Sequence, residues 1–221
     1  MDRKRFADDL GTENIFVKKE YLPKKQQQIL QTIGTVMSER NFYLAGGTAL
    51  AIYYGHRMSV DLDWFTGDHL GDAMQLASSL QSYLPLEVTS VSSGTLYAMS
   101  EQVQLSFMEY RYPLLQPLVS SDEFGCHLAA LDDIACMKLS AVAQRGARKD
   151  FIDVYTLVQH HRPLPELLQL YQRKYSVQDI SSVLYGLAYF NDAEREPLPE
   201  RWNGNWKEVT SSFRQWLKAI V

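Results

Sequence analysis

Two aspartates one residue apart, Asp61 and Asp63, are the first candidates for chemistry in this 221-residue chain. They lie in an extended run, 60–65. A strand alternates its faces with period 2, so both carboxylates project to one side while Leu62 and Trp64 take the other. Two adjacent carboxylates repel, and a divalent cation relieves the repulsion. Hard oxygen ligands suit Mg²⁺, which takes one or two carboxylates and completes its shell with water and phosphate. Upstream stands Gly46-Gly47-Thr48. Glycines without a Cβ let a ligand approach the backbone closely. A helix starting there offers free N–H groups and its positive dipole end to an anion, and Thr48 adds a hydroxyl. Each feature has an ordinary explanation: Gly-Gly is most often only a turn, and Asp-x-Asp is common on surfaces. Together, after a strand and with 13 residues between Gly47 and Asp61, they supply a cation half and a phosphate half of one site.

The elements that must position them follow from the pattern. The stretch 42–65 is expected as strand, glycine turn, helix and strand, with a polar corner at Gly55-His56-Arg57. A lone histidine such as His56 is most often structural. Ahead of it, Pro23 suits a first helical turn, and Ile29, Leu30, Ile33, Val36 and Met37 recur at helical spacing, so a helix should pack beside the first strand. Its lysines, Lys18, Lys19, Lys24 and Lys25, are expected as a solvated face. Residues 1–20 are expected as a short helix or loose arm. After a helix at 70–83 come three extended runs, 86–91, 95–99 and 103–110, joined by hairpin turns, which gives a five-stranded mixed sheet. Helices are expected at 131–142, from 149, at 164–175, at 177–190 with Ser176 as N-cap, and at 205–220, where the aromatics are core. The fold class is α/β (α+β): a small mixed sheet flanked by helices at 1–125, then a helical region at 126–221.

Composition sets the limits. With 46% hydrophobic and 22% charged residues the chain can bury a core. Net charge is −4, so nucleic-acid contact would need a local patch. Cys126 and Cys136 are expected as buried free thiols rather than a disulfide framework. Neither a signal-peptide core nor an apolar run of about 20 residues is present, which implies a cytoplasmic protein with no membrane partner.

The string GGTALAIYYGHRMSVDLDWF resembles the signature of the DNA polymerase β-like nucleotidyltransferases, in particular the AbiEii/AbiGii toxin family. A second string, KLSAVAQRGARKDFIDVYTL, resembles that family's later signature. The resemblance implies nucleotidyl transfer from an NTP. Asp61 and Asp63 would hold Mg²⁺ and act in catalysis with Asp150. Gly46, Gly47, Thr48, Arg57, Lys138, Lys149 and Asp153 would bind the nucleotide. It also implies the toxin half of a toxin–antitoxin or phage-defence pair, an RNA (tRNA) or protein acceptor, and a cognate antitoxin. From spacing alone, Lys149 and Asp153, four apart on a helix, could instead form a plain surface ion pair. The chain departs from the family at Ser106, where a third carboxylate is expected; Glu109, nearby, faces away by alternation. That departure leaves two rivals open: a catalytically weakened nucleotide-binding module, and an interaction protein that keeps only the fold.

Overall fold

A computed structural model describes residues 17–220. After a 3₁₀ turn at Lys19–Tyr21, helix α1 (Lys24–Glu39) follows Pro23 and packs beside strand β1 (Phe42–Leu44). Helix α2 (Gly46–Tyr54) closes at Gly55 in the left-handed conformation and returns the chain to strand β2 (Asp61–Thr66). Asp72 caps helix α3 (Ala73–Leu80), accepting from the Met74 and Gln75 amides. Strands β3 (Glu87–Ser92), β4 (Thr95–Ser100) and β5 (Val103–Glu109) form the expected antiparallel meander, with one register shift at Val88/Ser90.

Strands β6 (Val119–Ser121) and β7 (Cys126–Leu128) bring the sheet to seven, in the order β3-β4-β5-β2-β1-β7-β6, and correct the expectation of five. Three residues are too few to show an alternating pattern, and β7 joins the sheet by pairing with β6 and, across the molecule, with β1. The sheet therefore runs past residue 125, and helix α4 (Leu131–Gln144) opens the helical part. Cys126 and Cys136 are buried and free, the first on β7 rather than in a helix.

The two sheet faces differ. Leu62, Trp64, Leu96, Ala98, Leu105 and Phe107 are fully buried on one, where α3 packs against β4. On the other, Phe65 stacks with Tyr43 and meets Tyr110 edge-on, while the β3–β5 part stays half-exposed. Helix α4 is the hub of the second layer, packed by α5 (Arg148–His160), α6 (Leu164–Tyr175) and α7 (Ser181–Ala188); α8 (Trp206–Lys218) lies on α5 and α7. Phe151 meets Trp206 and Phe213 edge to face, as Phe190 meets Trp206 and Phe213 meets Trp216, joining these helices. Helix α7 is shorter than expected. Ser176 is the left-handed C-cap of α6 instead of an N-cap, and Asp179 bonds the Ser181 amide at the true start. Of the four N-terminal lysines, Lys19 pairs with Glu123, and the expected arm over residues 1–16 lies outside the described residues.

Candidate active site

The site lies where the end of β1, the start of α2 and the start of β2 meet. Asp61 and Asp63 share a face of β2, and Asp61 keeps 36% of its side chain exposed. Gly46 has φ +68°, and a Cβ there would sit 2.7 Å from Asp63 Oδ2. The glycine thus lets the carboxylate close onto the first turn of α2, whose N–H groups have no intrahelical partner. Gly47 faces the Arg57 guanidinium with equally little room. Both glycines serve close approach, first by the protein's own groups.

Thr48 has another task. It is fully buried, donates to the Asp61 carbonyl and lies 2.9 Å from Ser59 Oγ. Gln26 of α1 reaches the same carbonyl at 3.0 Å. These bonds fix α1 and α2 to β2, so Thr48 orients Asp61 and has no hydroxyl turned to a phosphate. Sequence reasoning missed Gln26 and Ser59, since nothing in their local pattern marks a contact 35 residues away.

Behind the site lies a buried ion cluster. Asp153 receives Arg57 in a two-pronged contact, Nε at 2.6 Å and Nη2 at 2.7 Å, with His56 Nε2 at 2.7 Å and Lys138 Nζ at 2.6 Å. Asp150 receives Arg145 at 2.7 and 2.9 Å and Lys138 at 3.3 Å. Both carboxylates are 0% exposed and Lys138 is 6% exposed. Burial alone would raise the Asp153 carboxyl, but Arg57, Lys138 and the His56 bond hold it well below the usual carboxylate range. Asp150 is likewise pushed up by burial and brought below its usual value by Arg145 and Lys138. Burial lowers the His56 pKa from its usual value, against the opposing pull of Asp153. Asp150, Asp153, Arg57 and Lys138, expected in catalysis or nucleotide contact, are thus engaged with one another and lock α4 and α5 to the 55–57 corner. His56, expected as structural, is part of this lock through its bond to Asp153.

Lys149 is different. It is 43% exposed and reaches from α5 toward β2, Nζ 3.6 Å from Asp61 Oδ2. The expected alternative, an ion pair with Asp153 four residues on, is absent because Asp153 is already saturated. Arg145, over half exposed, shares this rim. Arg148 leaves it: buried, it donates to the carbonyls of Ala193 and Glu194 and lies over Trp206.

Ser106 stands opposite Asp63 on β5, as the register places it, and its hydroxyl donates to Asp63 Oδ1 at 2.6 Å. Glu109 faces away and holds His69, the Leu70 amide and Arg111; β5 has no bulge to turn it inward. Among the described residues no three His, Cys, Asp or Glu side chains cluster as a metal site.

A small mixed sheet with an Asp-x-Asp strand beside a glycine-initiated helix is the arrangement of a nucleotidyltransferase. The chain belongs to the AbiEii family, described as "Nucleotidyl transferase AbiEii toxin, Type IV TA system", whose profile matches residues 28–85 and 99–219. It is 38% identical over 202 residues to an uncharacterized protein of Aquifex aeolicus (strain VF5), covering 90% of this chain and 98% of that one. The fold is similar to that of JHP933 from Helicobacter pylori, with a TM-score of 0.59 and 16% identity over 90% of this chain and 93% of that one. It is also similar to MenT4, a nucleotidyltransferase toxin from Mycobacterium tuberculosis H37Rv, with a TM-score of 0.51 and 14% identity over 88% and 80%. No helix of the described residues is long and apolar enough to cross a membrane.

Proposed function

We propose that this toxin-family protein transfers a nucleotide from a nucleoside triphosphate to an acceptor hydroxyl, using Mg²⁺ held by Asp61 and Asp63. The observation that carries the reading is a convergence: two carboxylates on one strand face, the N-terminus of α2, and Lys149 3.6 Å from Asp61. The donor set suits one Mg²⁺, with Asp61 partly open, Asp63 Oδ2 at the helix start, and the other positions left to water and phosphate. When bound, the metal supplies charge neutralisation along the triphosphate.

The residues divide the remaining work. The first turn of α2 receives phosphate oxygens through its N–H groups. Lys149 and Arg145 add positive charge at the rim, where a compact ammonium and a forked guanidinium meet phosphate. The Asp150–Asp153 cluster holds the start of α5 beside the site so that Lys149 stays aimed at Asp61. The acceptor oxygen bonds to the α-phosphorus as the α–β bridging bond breaks, pyrophosphate leaves on the α2 and Lys149 side, and the hydroxyl proton passes to water. An RNA or a protein hydroxyl fits this chemistry equally. The type IV toxin–antitoxin description of the family supports a cognate antitoxin as partner.

Calorimetry with each of the four NTPs, with and without Mg²⁺, tests the proposal. Metal-dependent binding of at least one NTP is expected, and failure of the folded protein to bind any would remove it. A second reading, nucleotide binding with feeble transfer, is favoured by one observation: a neutral Ser106 hydroxyl stands where a third carboxylate would serve a second metal.

A further inference from the structure

Helix α7 turns an unusual face to solvent. From Ile180 to Asn191 the chain has no charged residue. Val183 and Leu187 are fully buried, and Gly186 lies so close to α4 that a Cβ there would stand 2.9 Å from the Ala143 Cα. The outer face consists of Ser181, Ser182, Tyr185, Ala188 and Tyr189, all exposed. The water-facing side of a surface helix is ordinarily charged. This one instead carries two tyrosines at i and i+4, their rings near-parallel, 6.0 Å between centroids and 11° between planes. Tyr185 is 71% exposed, more than any other large apolar or aromatic side chain among the described residues. The pair is a flat, uncharged surface on a helix that backbone contact fixes to α4.

Its neighbours tie this face to the site. Ala143, the residue under Gly186, stands two positions before Arg145. Just past Tyr189, the Phe190 ring packs 5.1 Å from that of Phe151, two positions after Lys149. The Ala193 and Glu194 carbonyls then receive Arg148. The segment from α7 onward is therefore fixed on both sides of the α4–α5 turn, which carries Arg145 and Lys149. Lys149 in turn stands 3.6 Å from Asp61. Passing outward from Asp61, the surface offers carboxylates, then two partly exposed cations, then two tyrosine rings.

A single-stranded polynucleotide matches that order. Its reacting hydroxyl belongs at the aspartates, and its backbone phosphates need cations along their path, which Arg145 beside α7 supplies. Its unpaired bases stack on aromatic side chains, and every base has a ring face to offer. Packed helices stand about 8–10 Å apart axis to axis, so rings on the flank of α7 lie beyond α4 from the triphosphate, in the path of an acceptor chain.

We infer that Tyr185 and Tyr189 form a stacking platform for an unpaired base of a single-stranded polynucleotide acceptor, upstream of the end that reacts. The inference rests on the nucleotidyl-transfer reading above and names where the acceptor is held on this protein.

The experiment uses the full-length protein and fluorescence anisotropy with two probes, an unstructured RNA decamer and an abasic decamer carrying the same phosphates. NTP affinity is measured by calorimetry, and molecular mass by light scattering, on the same preparations. Tyr185→Ala should weaken binding of the RNA decamer about fivefold or more and leave binding of the abasic strand as it is in wild type. Tyr185→Phe should keep wild-type RNA affinity, because the ring face suffices. NTP affinity, melting temperature and mass should not change in either variant. Equal RNA affinity of wild type and Tyr185→Ala, an equal loss on the abasic strand, or no RNA binding by protein that binds NTP would each overturn the inference and leave the nucleotide site standing. A parallel fall in NTP affinity would put the donor's base on the ring, and a fall in mass from dimer to monomer would give the face to a second copy of the chain; either result overturns the inference as well. Absence of NTP binding would overturn the transfer reading itself, and the acceptor inference with it.

Discussion

Ser106 gives its hydroxyl hydrogen to Asp63 Oδ1 and so takes one of the lone-pair positions that carboxylate could offer a cation. Ser106→Asp would set a third carboxylate directly across from Asp63 and should tighten the Mg²⁺ dependence of NTP binding, read by magnesium titration; an unchanged midpoint would show that the position lies outside the metal's reach. Asp153 and Lys149 form the sharper contrast. Asp153→Asn leaves Arg57 and Lys138 without their shared buried carboxylate and should destabilise the protein by about 3–5 kcal/mol in denaturant unfolding. Lys149→Ala removes a half-exposed pair worth at most about 1 kcal/mol. Its melting temperature should stay within about 2–4 °C of wild type, while NTP affinity drops. Equal melting temperatures for the two variants would refute this division between a structural and a ligand-facing charge. The residue types of the site were legible in the sequence; their partners were not. Spacing allowed Lys149 to pair with Asp153, and only the fold shows Asp153 saturated by residues 15 and 96 positions away.

Among the elements, the turn from β1 into α2 has the least freedom. Gly46 adopts a left-handed φ, which costs a residue with a Cβ roughly 1–2 kcal/mol. Gly46→Ala adds a collision with Asp63 Oδ2, so it should lower both stability and NTP affinity. Wild-type affinity in that variant would show that Asp63 need not lie against the helix start. The sequence conveyed this turn, the two strands around it and the alternating meander, because each carries a period or a glycine signal. Strands β6 and β7 were illegible because three residues hold no period, and α7 was overextended because apolar spacing continues past its real ends. Thr48 misled for a related reason: its type suits a phosphate loop, but packing of α1 and α2 onto β2 turns it inward.

At the scale of the whole molecule, buried charge ties the helices to segments that flank the sheet strands in two places. One is the Asp150–Asp153 cluster. The other is Lys174, fully buried, which donates to Asp133 at 2.6 Å and to the Pro113 carbonyl at 2.8 Å, while Asp133 also holds the Leu115 and Gln116 amides. Beside it, burial would raise Asp132, yet His161 and Arg162 bring it down to about 2. For a carboxylate depressed on folding, the stabilisation is present above the unfolded value, here 3.8, and is lost as pH falls through the folded value. Unfolding free energy should therefore lose nothing from these groups above about pH 5 and fall steeply from about pH 4 toward 2. A flat profile across that window would mean that these acids are not ion-paired in solution.

The measurement that bears most directly on the central claim is incorporation of α-labelled NTP into the macromolecules of a whole-cell extract, which presents protein and RNA acceptors together. Wild-type protein with Mg²⁺ should transfer label from at least one NTP, and Asp63→Asn should reduce that transfer at least about 100-fold while remaining folded. Equal labelling by wild type and Asp63→Asn, or none by wild type with any of the four nucleotides, would contradict the assignment of Asp61 and Asp63 as the centre of a nucleotidyl-transfer site.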